Sequence, residues 1–414
     1  MADIVIIGGG IIGLSAAYFL LHDGHCVTVL DKGDITGNCS YGNAGMIVPS
    51  HFVPLASPGM ISRGIRWMFN SKSPFYVRPS LGRALIGWGW EFMRHANARH
   101  VQASAVPLRD LSLLSRGLYT DLAAQPGFDV GLRHGGILAF YKTEEAAEEE
   151  LGLVEDAVAL GLDMAVLSPA ECQALQPGLA LDVLGAVHYR CDSHLTPMAL
   201  MDALRTHLLQ NGVMIFSRHE VTTATVSDSA IRTVTAGGQL FAADHFVLAA
   251  GSWSQGLAAK LGLKIPVMPG KGYSFLRENP GGAITIPALL CEARVAVTPM
   301  GDQVRYGGTM ELGRMDDKIN MKRVEGIVSS IPRYFPNLST AMPSPVEVWH
   351  GYRPSSPDGL PYIGYSRKLN NLMVATGHGM MGLSLGPATG LLVSQLIAGR
   401  KPSVDPAPFS PDRM

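Results

Sequence analysis

The sequence predicts an α/β protein: a doubly wound parallel-sheet domain interleaved with an α+β domain built on a mostly antiparallel sheet. Three observations carry this. The first 31 residues read as strand, glycine turn, helix, strand. Short buried strands that run into glycine recur at Phe246–Gly251 and Leu372–Gly377. Between them lie segments with alternating Val/Thr patterns, prolines and amphipathic helical stretches.

Asp3-Ile-Val-Ile-Ile7 is a β-rich apolar run, and a helical pattern follows from Leu14 to Leu21 until Gly24 stops it. Cys26–Leu30 is a second buried strand and closes on Asp31. This β-α-β unit opens a Rossmann-like parallel sheet. From Pro49 to Leu195 the alternation fades, with Glu144–Leu160 as a clear amphipathic helix. Thr196-Pro197 starts a helix over Met198–Gln210, and Val213–Phe216 is a strand. An antiparallel excursion runs to Phe241, Phe246–Ala250 is a buried strand, and residues 263–345 are again sheet. Leu372–Thr376 is the last strand, followed by a glycine turn and a helix to Ala398. No repeat or low-complexity linker separates the parts, so 1–50, 196–262 and 346–414 are expected to form the nucleotide-binding domain. The segments 51–195 and 263–345 are expected to form the substrate domain.

With 414 residues, 47% apolar and 16% charged, the chain can bury a large two-domain core. Its formal charge of −1 gives no global argument for nucleic acid. Five scattered cysteines without a C-x-x-C pair indicate neither a disulfide framework nor a metal site and fit a reduced, cytoplasmic setting. The apolar run Ile4–Leu21 is interrupted by glycines and lacks a basic leader, so it is not a signal anchor. Residues 51–100 carry seven basic side chains (Arg63, Arg66, Lys72, Arg78, Arg83, Arg94, Arg99) against Glu91, with Trp67, Trp88 and Trp90. A solvated basic face is the plain reading. A peripheral membrane or partner-docking patch at 63–99 is the sharper one.

Gly8-Gly9-Gly10-Ile11-Ile12-Gly13 satisfies G-x-G-x-x-G between strand and helix. Gly8 allows the turn, Gly10 lets a pyrophosphate approach the backbone, and Gly13 allows helix and strand to pack closely. The helix N-terminus offers N–H donors to the anion. Asp31, eighteen residues after Gly13, stands where a carboxylate takes a ribose hydroxyl. The turn alone does not separate FAD from NAD. A second strand-to-helix corner at Leu372–Gly382 would set N–H donors beside another anion, such as a reduced flavin ring.

These residues, with Ser40-Tyr-Gly-Asn43-Ala44-Gly45-Met46, Lys271-Gly272-Tyr273-Ser274, Gly307–Glu311, Gly351-Tyr352-Arg353-Pro354 and Pro357–Gly364, resemble the FAD-dependent D-amino-acid oxidase superfamily. The likeness runs end to end and is nearest the D-amino-acid dehydrogenase and glycine oxidase type, with the D-hydroxyproline dehydrogenase branch included. It implies that Arg353 holds a substrate carboxylate, a task suited to a guanidinium fork; the alternative is an interdomain salt bridge. It places Lys32, Ser40, Asn43, Ala44, Gly45, Met46, Val221, Gly251, Gly379, Met380, Met381, Gly382 and Leu383 with the turn residues and Asp31 around FAD. No cysteine lies in the C-terminal flavin segment or beside Arg353 in sequence, so the FAD is expected to be non-covalent.

The implied reaction moves the Cα hydrogen of a small D-amino or cyclic imino acid to the flavin, giving an imine. Tyr273 and His51 are placed near the substrate, with a core tyrosine and a surface histidine as the alternatives. Three other signals are set aside. Gly382-Leu-Ser384-Leu-Gly386 fits G-x-S-x-G, but Ser384 is expected inside a helix rather than at a strand corner. His22, His25 and Cys26 have no fourth metal ligand. Asn38-Cys-Ser40 and Asn337-Leu-Ser339 would matter only in a secreted chain. Competing functions are glycine or sarcosine oxidation, and a flavin-binding relay or scaffold subunit. The electron acceptor is quinone or oxygen.

Overall fold

The computed structural model describes residues 1–60, 75–77, 82–313 and 315–414. Arg63, Arg66, Trp67, Lys72 and Arg78 of the basic segment lie outside them. The first sheet has six strands in the order Tyr362–Tyr365, Leu372–Thr376, His245–Leu248, Asp3–Ile7, Cys26–Leu30, Met214–Phe216. All pairings are parallel except the edge pair of Tyr362–Tyr365 with Leu372–Thr376. A strand buried on both faces reads as a continuous apolar run, and this is why Asp3–Ile7 and Leu372–Thr376 are so uniformly aliphatic. The excursion is a three-stranded antiparallel sheet, Val221–Ser227, Ala230–Ala236 and Gln239–Ala242.

The second sheet joins Trp349–Ser355, Met268–Glu278, Gln303–Leu312, Val295–Met300, Ala288–Leu290, Ile137–Tyr141, Gly185–Tyr189 and Met164–Leu167, with Phe75–Val77 alongside Gln303–Leu312. It is antiparallel apart from the pairings of Ala288–Leu290 with Ile137–Tyr141 and of Phe75–Val77 with Gln303–Leu312. Trp349–Ser355 lies in the C-terminal segment assigned from sequence to the nucleotide domain, yet it is hydrogen-bonded to Met268–Glu278 of this second sheet. The helix Ala98–Ala123 lies in the other segment, yet Leu108, Leu111, Tyr119 and Leu122 join the core of the first sheet. Chain order and sheet membership part company because each sheet recruits whatever apolar face completes its core.

The first helix starts at Ile11, three residues before its apolar pattern becomes obvious. The final helix, Gly386–Ile397, packs across it. A Cβ at Gly390 would sit 2.5 Å from the Ser15 backbone, so the two helices meet at near-backbone distance. That crossing draws the two ends of the chain together, which proximity in sequence could not do.

Ser384 is not inside a helix, as expected from sequence, but in the turn just before Gly386. The polypeptide makes a short 3-10 turn at Gly379–Met381 first, and this delays the helix. Ser384 is buried, and its Oγ accepts the Val48 N–H at 2.9 Å, so it braces a loop and does not present a nucleophile.

Candidate active site

One cavity of about 1010 Å³ runs between the two sheets. At one end it is lined by Gly8, Gly10, Ile11, Ile12, Asp31, Lys32, Val221 and Gly251, and at the other by His51, Trp349 and Arg353. Gly379–Leu383 lines the same space, so the two backbone corners at the ends of the chain do converge. Ser40, Asn43, Ala44 and Met46 form part of the wall. Gly13 and Gly45 do not: a Cβ at Gly13 would lie 1.8 Å from the Gly8 carbonyl oxygen, and one at Gly45 2.3 Å from that of Leu195. Both are there for backbone approach.

At the glycine turn, Ser40 Oγ accepts the Ile11 N–H at 3.0 Å. Asp31 clamps the turn through Gly9 N–H (2.7 Å) and Gly33 N–H (2.8 Å), leaving lone pairs on both oxygens for a hydroxyl. Lys32 Nζ lies 3.8 Å from the centre of the Trp253 ring, a cation–π contact that sequence reading missed.

The loop expected to line the flavin is held from the second sheet. Arg305 donates to the Tyr41 and Asn43 carbonyls at 2.8 and 2.7 Å, and Ser274 Oγ donates to the Gly42 carbonyl at 2.9 Å. Burial lowers the Arg305 guanidinium to about 10. The Trp349 ring fills the space above two glycines: a Cβ at Gly42 would lie 2.0 Å, and one at Gly351 2.1 Å, from its atoms. Neither Trp349 nor Arg305 stood out in the sequence. The glycine two residues from a tryptophan was the available signal.

Arg353 reaches the cavity from the edge strand of the second sheet. Its Nη1 donates to the Thr309 carbonyl at 2.8 Å, and among the described residues no carboxylate pairs with it. Burial lowers its pKa to about 10, still far above neutrality, so the charge persists. A cation held this way in a protein-walled cavity is strongly stabilised by an incoming anion.

Tyr273 borders the cavity, as expected from sequence, but its hydroxyl is engaged elsewhere. Alternation along Met268–Glu278 sends Gly272 and Ser274 toward the cavity, and Lys271 and Tyr273 to the other face. There the Tyr273 hydroxyl donates to Glu311 at 2.8 Å and the ring is 2% exposed in the core of the second sheet. The critical neighbour is Gly272, where a Cβ would lie 2.0 Å from Arg353 Nη1. Gly272→Ala is therefore expected to displace a flexible guanidinium rather than the fold. Losing one charge-assisted bond would raise the KM for a carboxylate substrate roughly 10- to 100-fold. Steady-state kinetics with an unchanged melting temperature would establish this.

Cys39 adds a neighbour that sequence distance hid. Its Sγ accepts the Tyr352 N–H at 3.4 Å, so a cysteine does lie beside Arg353 in space. Burial raises its thiol pKa, which keeps it protonated and a poor nucleophile. Among the described residues, no group of three His, Cys, Asp or Glu side chains is placed to hold a metal ion.

The model of the DAO family, FAD dependent oxidoreductase, matches residues 3–396. The chain belongs to this family. It is 31% identical over 413 residues to D-amino acid dehydrogenase of Methylobacterium radiotolerans, covering 97% of each chain. To the protein of the same name in Granulibacter bethesdensis it is 28% identical over 410 residues, covering 98% of this chain and 97% of the other. Glycine oxidase from Geobacillus kaustophilus shares the fold with a TM-score of 0.79 at 24% identity, covering 100% and 99% of the two chains. L-proline dehydrogenase from P. horikoshii does so with 0.76 at 19%, covering 100% and 97%.

FAD is the cofactor, and the cavity fits it. The pinched turn at Gly8–Gly13 suits a pyrophosphate, Asp31 a ribose, and the wall formed by Ser40, Asn43, Ala44 and Met46 with Gly379–Leu383 a flat ring.

Proposed function

We propose that this DAO-family protein oxidises the Cα–N bond of a small D-amino or cyclic imino acid, with Arg353 as the carboxylate anchor. The observation that carries this reading is a half-buried, desolvated guanidinium without an acidic partner among the described residues, in the same cavity as the segments expected to line the flavin. The likeness to two D-amino acid dehydrogenases over nearly the full chain favours the same substrate class. Bound flavin supplies the hydride acceptor. Arg353 fixes the carboxylate plane, and the Trp349 ring and the wall at Ser40, Asn43, Ala44 and Met46 restrict the remaining freedom of a small molecule; orientation of this kind lowers the barrier by several kcal/mol. The segments around the first sheet, 1–50 and 196–262 with most of 346–414, serve the cofactor, and the second sheet serves the substrate.

Anaerobic mixing with D-proline, cis-4-hydroxy-D-proline, D-alanine, glycine and sarcosine tests the reading. Bleaching by a D-amino or imino acid is the expected outcome. Bleaching by glycine or sarcosine alone would move the substrate class, and no bleaching would leave a flavin-binding relay or scaffold subunit.

Electron delivery to a membrane quinone is part of the same proposal. The helix Arg83–His95 turns Trp88 and Phe92 inward with Met268 and Met310, and Trp88 Nε1 donates to the Ser355 carbonyl at 2.8 Å, two residues from Arg353. Its other face leaves Ile86, Trp90 and Met93 half or more exposed, spaced by four and three residues. Apolar and tryptophan side chains on one face, within a basic segment, suit the surface of an anionic bilayer. No helix among the described residues is long and apolar enough to cross one. Changing Ile86, Trp90 and Met93 to serine is expected to weaken sedimentation with phosphatidylglycerol vesicles at least about tenfold, by loss of apolar burial. Unchanged sedimentation would assign this face to solvent.

A further inference from the structure

The short antiparallel pair of Met46–Ile47 with Ser193–His194 brings the end of the flavin-lining loop against a segment more than 140 residues away. There Ser50 N–H and Ser50 Oγ donate to the two oxygens of Asp192, at 2.9 and 2.6 Å. Cys191 Sγ adds a third donor at 3.5 Å. Asp192 has 0% exposure and forms no ion pair among the described residues. On its other side, Ser50 Oγ lies 3.0 Å from His51 Nδ1. His51 lines the cavity, and its Nε2 has no protein partner among the described residues.

Hydrogen-bond bookkeeping sets the proton positions. Ser50 has one hydroxyl proton, and an ionised Asp192 takes it. The serine oxygen can then only accept, so His51 carries its proton on Nδ1 and shows a bare Nε2 lone pair to the cavity. Protonating Asp192 reverses every bond in the chain and puts the histidine proton on Nε2.

We propose that Asp192, Ser50 and His51 form a proton relay that takes the ammonium proton of the substrate before Cα–H cleavage. The proposal rests on the amino-acid reading above. The substrate N–H passes its proton to His51 Nε2, Nδ1–H passes to Ser50 Oγ, and the Ser50 hydroxyl proton passes to Asp192 Oδ2. One ammonium and one carboxylate become a neutral amine and a neutral acid; His51 and Ser50 end neutral. Nothing is oxidised in this step, and no charge is left uncompensated in the cavity.

The surroundings suit it. Burial raises Asp192 to about 7, with Ser50, Cys191 and the more distant Arg116 pulling it down. Burial first, then Arg294, lowers His51 to about 4, so the imidazole conducts a proton without storing one. Among the described residues, Tyr189, whose hydroxyl is bonded to Glu150, and Cys191 also face Asp192. Asp192 acts through Ser50 and His51 and is a positioning and proton-accepting residue behind the site.

The test is the pH dependence of anaerobic flavin reduction by the substrate identified in the panel. In the wild type the apparent second-order rate constant should fall below about pH 7 as Asp192 protonates. In Asp192→Asn, which keeps an oxygen for the Ser50 N–H, the acid limb should move up to the ammonium pKa of the free substrate. At pH 7 the rate should drop on the order of 10²-fold, the usual scale for losing a general base. Ser50→Ala breaks the chain while keeping both ends and should give the same profile, so it carries the test if Asp192→Asn does not hold flavin. A wild type bleached normally, with an acid limb that survives both substitutions, overturns the relay alone. A wild type bleached by no amino acid overturns the reading beneath it.

Discussion

Replacing Arg353 by leucine is expected to leave a yellow protein that no amino acid bleaches. The guanidinium touches the Thr309 carbonyl and the cavity, and among the described residues no carboxylate shares it. Removing one partner of a buried charge pair costs about 3–5 kcal/mol, so the apparent second-order rate of reduction should fall roughly 10²- to 10⁴-fold. Without substrate the effect should reverse in sign. Leucine removes a desolvated cation, and the melting temperature of the substrate-free protein should hold or rise. Lysine at 353 keeps the charge but loses the fork and should recover only part of the rate. Reduction by Arg353→Leu at wild-type substrate concentrations would disprove the carboxylate assignment.

The second large effect is expected at the glycine turn, where two substitutions should fail for different reasons. A Cβ at Gly13 would stand 1.8 Å from the Gly8 carbonyl oxygen, a backbone atom fixed by the strand before it. Gly13→Ala must pry the helix from the strand, and it should yield a colourless protein with a lowered melting temperature even without cofactor. A Cβ at Gly10 meets only Ser40 Oγ at 3.5 Å, so the chain itself accommodates alanine there. Gly10→Ala should therefore keep the stability of the apoprotein and lose FAD affinity, because the methyl stands where the pyrophosphate approaches. FAD titration and thermal melts of both apoproteins separate the two causes. Normal FAD affinity in Gly10→Ala would contradict the placement of the pyrophosphate.

Much of the cofactor end was legible because its signals are local. Asp3–Ile7, the glycine turn, the first helix and Cys26–Leu30 are consecutive, and Asp31 binds the turn N–H groups that a pattern of 30 residues puts in reach. Arg353 was legible from its motif, but its isolation from any described carboxylate was not. The substrate end was read less well. Tyr273 was chosen over Gly272, although a shift of one residue along a strand moves a side chain to the opposite face. Ser384 was placed in a helix that begins at Gly386, because a glycine-rich turn can delay a helix without changing the apolar pattern after it.

By itself the sequence determined the α/β class and the nucleotide turn, which are written in contiguous residues whose backbone preferences and periodicity act over a few turns or one strand. FAD as cofactor, and the expectation that Arg353 meets the substrate, came instead from the resemblance of motifs spread along the chain. Tertiary structure alone decided that Trp349–Ser355 joins the second sheet, that Trp349 lies over Gly42 and Gly351, that Arg305 holds the flavin-lining loop, and that Asp192 stands behind His51. Apart from Trp349 over Gly351, those contacts join residues from about 75 to about 300 positions apart. Sheet register and core packing select them, and these depend on the whole chain having already closed.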